Sequence, residues 1–473
     1  MGKKTSTSRR NFLKAGAAGA AGLAIASRIE TVFSSTLAVT PPGPGNKWPG
    51  RVVINFNKAA VVANVADTTV IKKMVDDAIL KLTSQTTVAA AWKALFPATL
   101  TAASKIAIKL CTANTGLPAP HWSSVRAITD GLQQIDFNGT KMPASNITIY
   151  EWGGNLGAAK FTAANFPGIS IVTDNFVNGG DGALNNRTYA QTLKNAAFLI
   201  NVFSPRGHNT GSAFTLGFKS HFGTYSNAPG LHTNAAQNIA DINCTGPVYN
   251  KNVLSVCSGI YAMNEGNGPA GSADIYTTYA RSIDNTIAAT AQVPSTTIML
   301  STDPVSVEMQ TIKMMRINKN GAYATANMPT YLQASAGMTV SGFTTSYNIG
   351  TIDESKMTVL KIINGASTPV MNPVSSAVGF SGAGIVAHHI KGYNTTFIEF
   401  ELPEGHVGKE ASIEIYNGRG ALVRKFSQKV LGVRNHLSWD EIDGRGNTVS
   451  KGTYIVHLIS GGKQASAPVT IVG

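Results

Sequence analysis

The side chains best suited to chemistry are concentrated between residues 201 and 223. An apolar run ends at Asn201, and the Gly-, Ser-, Thr- and Asn-rich stretch after it carries Arg206, His208, Lys219 and His221. Two cations and two imidazoles suit an anionic ligand such as a carboxylate or a phosphate. A histidine can equally act as a general base near neutral pH. Because phenylalanines are interspersed, a solvated loop with packed aromatic rings is the alternative interpretation.

Two further charged residues stand at the ends of apolar runs. Lys109 ends the run Ile-Ala-Ile-Lys, and Glu151 ends the run Ile-Thr-Ile-Tyr-Glu. A lysine in that position is either an edge residue whose ammonium reaches solvent or a cation that faces a site. Glu151 is its natural partner, and a structural ion pair would explain both residues without any chemistry.

These residues together predict one polar site. The catalytic candidates are His208, Lys219, Lys109 and Glu151, and the ligand-binding candidates are Asn201, Arg206, His221, Asp241 and Asp303. The same histidines with Asp241, Asp303 or Glu308 are the alternative, as ligands of a divalent metal. If the protein is an enzyme, acid/base or redox-linked chemistry on a small anionic substrate fits these residue types best. The rival hypothesis is a non-catalytic surface or secreted binding protein, and the cofactor, the metal and the reaction stay unknown.

Common nucleotide and metal motifs are absent from the sequence. The stretch Gly266–Gly271 fits G-x-G-x-x-G, but its Pro269 removes an amide donor and no helical pattern follows. The chain has no Walker lysine and no H-E-x-x-H helix. The cysteines Cys111, Cys244 and Cys257 contain no C-x-x-C pair, which excludes a cysteine-only zinc or iron–sulfur site. One disulfide with a free thiol and three buried thiols are both open.

Apolar strand patterns alternate with helical patterns between residues 50 and 365. Strands are predicted at 51–56, 105–110, 146–151, 169–173, 197–202, 253–257 and 297–300, and helices at 68–82, 89–96, 123–132, 304–315 and 329–336. This alternation predicts an α/β main domain with a mixed or mostly parallel sheet. In such sheets the working groups lie where strands end. After a Ser-, Pro- and Gly-rich linker at 366–394, residues 395–473 alternate strictly between Gly, Asn and Asp turns, which predicts an all-β sandwich.

The main domain resembles the uncharacterised family named domain of unknown function 362. The segments that carry the resemblance are Lys105–Lys109, Asn146–Gly154, Ala197–Val202, Arg206–His208, Phe214–Gly223, Ile239–Asp241 and Leu300–Val305, in that order. The resemblance implies a fold and a set of polar residues, but no reaction. Some relatives carry ferredoxin-type cysteine clusters, which this chain lacks. The chain also has Arg206-Gly-His208 where the family has Lys-x-His, and Ser220 where an Asn is common.

The C-terminal segment resembles the Ig-like domain of the flagellar hook-capping type (FlgD). The resemblance rests on the run that begins at Ile413-Glu-Ile-Tyr, on the pair Trp439-Asp440 and on Gly452-Thr-Tyr-Ile-Val. Such domains also end bacterial surface and secreted proteins, so the resemblance implies a spacer, docking or sorting module with a cell-surface or secretion partner.

The N-terminus has the pattern of a twin-arginine (Tat) export signal. Ser8-Arg9-Arg10-x-Phe-Leu-Lys14 precedes a short, weakly apolar run of Ala and Gly. Cleavage is expected after Ala26 or after Ala38, and the two positions cannot be distinguished by sequence. Residues 1–38 are therefore interpreted as a signal and lead-in. We expect the Tat translocase of a bacterial or archaeal cell as a transient partner, and the periplasm, cell surface or medium as the destination.

Charge and hydropathy exclude two classes of partner. The formal charge of the 473 residues is +14, and it falls to +9 without residues 1–38. The remaining basic residues are scattered rather than clustered, so no nucleic-acid surface is indicated. No apolar run after the signal is long enough for a permanent membrane span.

Overall fold

The computed structural model describes residues 46–112, 119–153, 155–178, 187–208, 214–263, 274–284, 286–318, 328–367, 384–390, 395–430 and 434–471. The expected export signal and both cleavage positions lie outside these residues, as do the stretch Gly266–Gly271 and most of the expected linker. Within the described part, no helix combines the length and the hydropathy that crossing a membrane would require. Two compact units are present: one extends to Ala280 and includes Thr290–Val370, and the other joins Arg281–Ala289 to the residues from Met371 onward.

The first unit is built on a nine-stranded sheet. Its strands are β1 (Arg51–Phe56), β2 (Ile106–Lys109), β3 (Ile147–Glu151), β4 (Ser170–Thr173), β5 (Phe198–Phe203), β6 (Asn252–Gly259), β7 (Thr297–Ser301), β8 (Thr358–Ile363) and β9 (Ala366–Ser367). Their order across the sheet is β9-β8-β1-β7-β6-β5-β2-β3-β4. All pairs are parallel except those that involve β7 and β9. The prediction of an α/β domain with a mostly parallel sheet is confirmed.

Helices alternate with these strands. They are α1 (Thr68–Thr83), α2 (Val88–Leu95), α3 (Trp122–Leu132), α4 (Gln191–Asn195), α5 (Gly217–Ser220), α6 (Ala235–Cys244), α7 (Gly246–Lys251), α8 (Thr277–Ile283), α9 (Pro304–Ile317) and α10 (Thr330–Ser335). Short 3-10 turns lie at Lys58–Ala60, Ala144–Asn146, His221–Thr224, Ala228–Asn234 and Glu354–Lys356. Two-stranded ribbons pair Val61–Val62 with Val65–Ala66, Asp136–Phe137 with Thr140–Lys141, Phe176–Asn178 with Thr188–Ala190, and Arg206–Gly207 with Phe214–Thr215.

Helix α1 shows why the periodic pattern folds in this way. The carboxylate of Asp67 accepts hydrogen bonds from the backbone N–H groups of Thr69 and Val70, which satisfies donors that the first turn leaves free. The apolar residues three and four positions apart are all buried in the main core: Ile71, Met74, Val75, Ala78, Ile79 and Leu82. The helix ends at Ser84, which adopts a left-handed backbone conformation with φ of 57°.

The second unit contains seven antiparallel strands among its described residues. A three-stranded sheet joins β10 (Gly384–Ile390), β11 (Thr395–Glu401) and β14 (Arg434–Trp439), and a four-stranded sheet has the order β13 (Leu422–Lys429), β12 (Glu410–Asn417), β15 (Gly452–Ser460) and β16 (Lys463–Ile471). A 3-10 turn lies at Glu404–His406. Apolar residues of both sheets belong to one buried cluster. The C-terminal segment is therefore all-β, as the alternating pattern predicts.

Two of the three sequence pieces behind the C-terminal resemblance meet in this cluster. The Trp439 side chain is fully buried, and its ring lies 5.6 Å from that of Tyr454, edge to face. The indole N–H of Trp439 donates to the carbonyl of Ile442 over 3.0 Å. The Asp443 carboxylate accepts backbone N–H groups of Arg445 and Asn447, so it stabilises a turn.

Candidate functional site

A cavity of about 550 Å³ opens at the carboxyl edge of the sheet, where β2, β3, β5 and β6 end. Its lining comes from the segments that follow these strands and from the loops near α5. The lining residues are Cys111, Glu151, Trp152, Arg206, Gly207, His208, Thr215, Lys219, Ser220, Gly223, Ala228, Pro229, His232 and Met263. Four of the predicted site residues are among them: Glu151, Arg206, His208 and Lys219. This position agrees with the rule that parallel sheets bind ligands beyond their carboxyl ends.

Arg206 brings a buried cation to the cavity wall. It lies in the ribbon after β5, and only 6% of the residue is exposed. One terminal nitrogen, Nη2, donates to the carbonyl of Cys111 over 3.4 Å and also contacts the Cys111 sulfur. The Nε atom is buried without a hydrogen-bond partner. Within the described ranges, Arg206 forms no ion pair with a carboxylate.

Lys219 is the second cation of the cavity. It lies on α5, is 6% exposed, and its amine donates one long hydrogen bond of 3.5 Å to Thr215. Burial lowers the pKa of Lys219 to about 8; Cys111 opposes this effect and the nearby Arg206 adds to it. As with Arg206, the ion pairs of the described residues do not include Lys219. A buried lysine with a lowered pKa is a common feature of functional sites.

The side chain of Asn201 positions α5 and therefore Lys219. Its amide nitrogen donates to the carbonyl of Gly217 over 2.8 Å, and its oxygen accepts from the Ser220 hydroxyl at 2.9 Å. Asn201 itself does not line the cavity. In this structure Asn201 holds the short helix that carries the cation, and its predicted ligand-binding role stays a prediction.

Lys109 and Glu151 form a buried ion pair at the cavity wall, to which Glu151 contributes. The Lys109 Nζ lies 3.0 Å from Glu151 Oε2, and the two side chains are 0% and 1% exposed. The same carboxylate accepts the backbone N–H groups of Thr112 and Trp152, at 3.1 and 2.9 Å. Gly223 packs directly over the pair, since a Cβ there would approach Glu151 Oε1 to 2.9 Å. The structural ion pair that the sequence left open is the arrangement observed.

The histidines near the cavity fall into two groups: His221 is buried outside the lining, whereas His208 and His232 belong to the lining. His221 is 1% exposed, and its Nδ1 lies 3.0 Å from the Thr224 hydroxyl. Burial, assisted by Lys109, lowers its pKa well below the usual value, so the ring is neutral. His208 lines the cavity, where its ring is 6.1 Å from that of His232. The ring of Phe222 meets His232 edge to face at 4.9 Å, which fixes the imidazole at the wall.

Four of the five predicted ligand-binding residues lie outside the cavity lining: Asn201 and His221, described above, and Asp241 and Asp303. Asp241 accepts hydrogen bonds from Gln237 over 2.6 Å and from Tyr347 over 2.7 Å. Asp303 lies at the opposite edge of the sheet, because β7 runs antiparallel to β1 and β6 and ends where they begin. There its carboxylate accepts the backbone N–H groups of Gly50, Ser306 and Thr351. Asp303 thus caps α9 and joins distant parts of the chain.

The carboxylates expected as metal ligands are therefore not grouped with the histidines. Across the described ranges, no three His, Cys, Asp or Glu side chains are arranged to hold a metal ion. Glu308 lies in the core, where it accepts the backbone N–H of Phe218 at 2.9 Å and the hydroxyl of Tyr331 at 2.8 Å. The three cysteines are all buried free thiols. Of the two alternatives that the sequence left open, the structure thus has the three buried thiols.

Several cavity residues have no signal in the sequence. They are Cys111, Trp152, Thr215, His232 and Met263. Cys111 and Trp152 directly follow residues of the predicted ends of β2 and β3, so their positions, although not their types, could have been inferred. His232 and Met263 reach the cavity through loops whose path no periodic pattern describes.

Glu308 gives the protein a testable pH dependence. Burial raises the pKa of Glu308 from 4.5 to about 7. Its contribution to stability is therefore complete below about pH 4.5 and is lost as the pH rises through 7. We expect the free energy of unfolding to fall by up to about 3 kcal/mol from this group between pH 5 and pH 8. Urea denaturation at several pH values measures this, and Glu308→Gln should flatten the profile; an identical slope in the variant would contradict the assignment.

Residues 157–313 match the family model Domain of unknown function (DUF362). The matched DUF362 segment contains Arg206, His208 and Lys219, whereas Lys109 and Glu151 precede it. The match supports the predicted family for the main unit. The comparison with curated proteins gave no match.

Solved structures give only weak and partial likenesses. Latent PorU from Porphyromonas gingivalis is 17% identical, with a TM-score of 0.18, 19% of this chain covered and 9% of PorU covered. FlgD from P. aeruginosa is 21% identical, with a TM-score of 0.14 and coverages of 15% and 55%. FlgD from Xanthomonas campestris is 18% identical, with a TM-score of 0.12 and coverages of 19% and 53%. This chain thus spans about half of each FlgD and a small part of PorU.

Proposed function

We propose that the cavity at the carboxyl edge binds a small anionic ligand through Arg206 and Lys219. The observation that carries the proposal is that two buried cations line one concave site and neither forms an ion pair with a described carboxylate. Leaving such charges uncompensated is costly, and a bound carboxylate or phosphate removes that cost. The Glu151 carboxylate also lines the cavity, but Lys109 neutralises it. The remaining charge of the wall is therefore positive, which also disfavours a divalent cation there.

Two versions of this function follow from the same site. In the first, the protein is an enzyme in which Lys219 or His208 transfers a proton to or from the bound anion. A group with a pKa of about 8 is suited to that task near neutral pH. In the second, the protein is a non-catalytic binding protein and the same cations only hold the ligand. Turnover of a bound anion, or its absence, separates the two.

We further propose that the protein acts after export by the Tat pathway. The twin-arginine pattern supports export, and the resemblance of residues 395–473 to Ig-like hook-capping domains supports a role for the C-terminal unit in docking or sorting at the cell surface. The contact between Trp439 and Tyr454 is the observation that fits the Ig-like interpretation. Fractionation of cells that produce the parent and an Arg9→Lys, Arg10→Lys variant tests export, since the variant should stay in the cytoplasm.

Binding is tested by calorimetric titration of the full chain with phosphate and with pyruvate. We expect one site per chain and an affinity that decreases as the salt concentration rises, because charge drives the interaction. Lys219→Gln should weaken binding, whereas Lys105→Gln, an exposed lysine before β2, should not. Heat signals that are unaffected by Lys219→Gln would overturn the proposal. Elemental analysis of the same sample tests the alternative of a divalent metal.

A further inference from the structure

Lys219 has the surroundings of an amine that reacts rather than one that only holds a charge. Its amine is buried, lines the cavity and donates one hydrogen bond, to a neutral hydroxyl at 3.5 Å. The neighbouring cation, Arg206, disfavours the protonated form, and burial does so more strongly. Desolvation and a second cation are the two means by which proteins turn a lysine into a nucleophile.

The helix that carries Lys219 is held in place. Ser220, the next residue, donates to both Asn201 and the carbonyl of Gly217, and the carboxylate of Glu308 accepts the backbone N–H of Phe218. These contacts hold the backbone from which the Lys219 side chain reaches the wall. An amine with a guanidinium nearby suits a ligand that carries a carboxylate and an electrophilic carbon close together.

We propose that Lys219 captures the carbonyl carbon of a 2-oxo acid as an imine while Arg206 binds the carboxylate of that acid. The inference rests on the proposed anion site and names its substrate class. The lone pair of the amine forms the new C–N bond, and the electron pair of the C=O bond moves to oxygen, giving a carbinolamine. Loss of water then forms the C=N bond, so one carbonyl and one amine yield one imine and one water. No oxidant or reductant takes part.

The proton transfers have candidate carriers in the same wall. The nitrogen loses a proton as the C–N bond forms, and the departing oxygen gains one as water leaves. His208 and His232 line the cavity on one side, with their rings 6.1 Å apart. Glu151 is held by Lys109 and two backbone N–H groups, which leaves it less suited to move a proton.

Reductive trapping tests the imine. The full chain is incubated at pH 8 with limiting pyruvate and cyanoborohydride, and the modified lysine is located by peptide mass spectrometry. With a pKa of about 8, half of Lys219 is unprotonated, compared with less than ~1% of a lysine at its usual value of 10.5. We expect an occupancy on Lys219 at least roughly tenfold above that on the exposed Lys105, and none on residue 219 of a Lys219→Arg variant.

Two controls separate the parts of the inference. Arg206→Gln should lower trapping of pyruvate about tenfold. It should lower trapping of propanal, which has no carboxylate, much less, because burial rather than Arg206 is the main cause of the lowered pKa of Lys219. Uniform labelling of surface lysines, or a pyruvate adduct on Cys111 instead, would overturn the imine. If calorimetry shows that pyruvate binds and Lys219 is still not trapped, the imine fails and the anion site stands. If pyruvate and phosphate both fail to bind, the proposed function fails as well.

Discussion

Replacing Lys109 by alanine should lower the free energy of unfolding by about 3–5 kcal/mol. The substitution leaves Glu151 charged and buried, with the backbone N–H groups of Thr112 and Trp152 as its remaining partners. Removing one member of a buried pair exposes the full desolvation cost of the other, which makes this the largest stability effect we expect from a site substitution. Urea denaturation followed by circular dichroism measures it.

A matched control and a double variant make the test specific. Lys105 begins the same apolar run and is exposed, so Lys105→Ala should change the free energy of unfolding by less than about 0.5 kcal/mol. Lys109→Met combined with Glu151→Gln should cost less than the sum of the two single changes, because the pair is coupled. A Lys109→Ala protein as stable as the Lys105→Ala protein would show that water reaches the pair and that it is not buried.

The largest effect on ligand affinity should come from Arg206. Hydrogen bonds to a charged group contribute about 1.5–3 kcal/mol, so Arg206→Ala should weaken phosphate binding roughly 10- to 100-fold. The guanidinium has donors to spare for a ligand, since its Nε atom has no hydrogen-bond partner in the protein. Isothermal titration calorimetry of parent and variant gives the ratio directly.

Arg206→Lys distinguishes charge from geometry at this position. A lysine keeps the charge but loses the planar set of donors, so the affinity should lie between those of the parent and of Arg206→Ala. Arg126 pairs with Asp130 at 2.6 Å and does not line the cavity. It provides the control, and Arg126→Ala should bind phosphate as the parent does. Equal affinities for the parent and Arg206→Ala would place the anion elsewhere.

The elements and the edge of the sheet were accessible from sequence because they depend on local pattern. Apolar runs and helical spacing are set by which face is buried, and strands that run in one direction bring their ends together. The ends of β2 and β3 accordingly brought Lys109 to Glu151, and the segment after β5 brought Arg206 and Lys219 to the same cavity.

The direction of β7 could not be predicted from the local sequence pattern, and the predicted position of Asp303 depended on that direction. An antiparallel strand inside a mostly parallel sheet has the same buried pattern as its neighbours, so its residues carry no sign of orientation. Asp241 presents a similar difficulty, because its partner Tyr347 lies far along the chain. Long-range pairings of this kind are set by the packing of the whole unit rather than by any local pattern.

The position of β1 in the sheet affects how the chain can fold as it is made. Val53 pairs with Leu300 and Arg51 with Thr358. Neither neighbour of β1 therefore exists until most of the main unit has been synthesised. At ribosomal rates of ~5–20 residues per second, that wait lasts on the order of tens of seconds. During this time an apolar strand stays unpaired near the start of the nascent chain, where a chaperone could bind it. Sheet closure by β1 is thus a late step of folding, and slow folding at low chaperone supply is its expected sign.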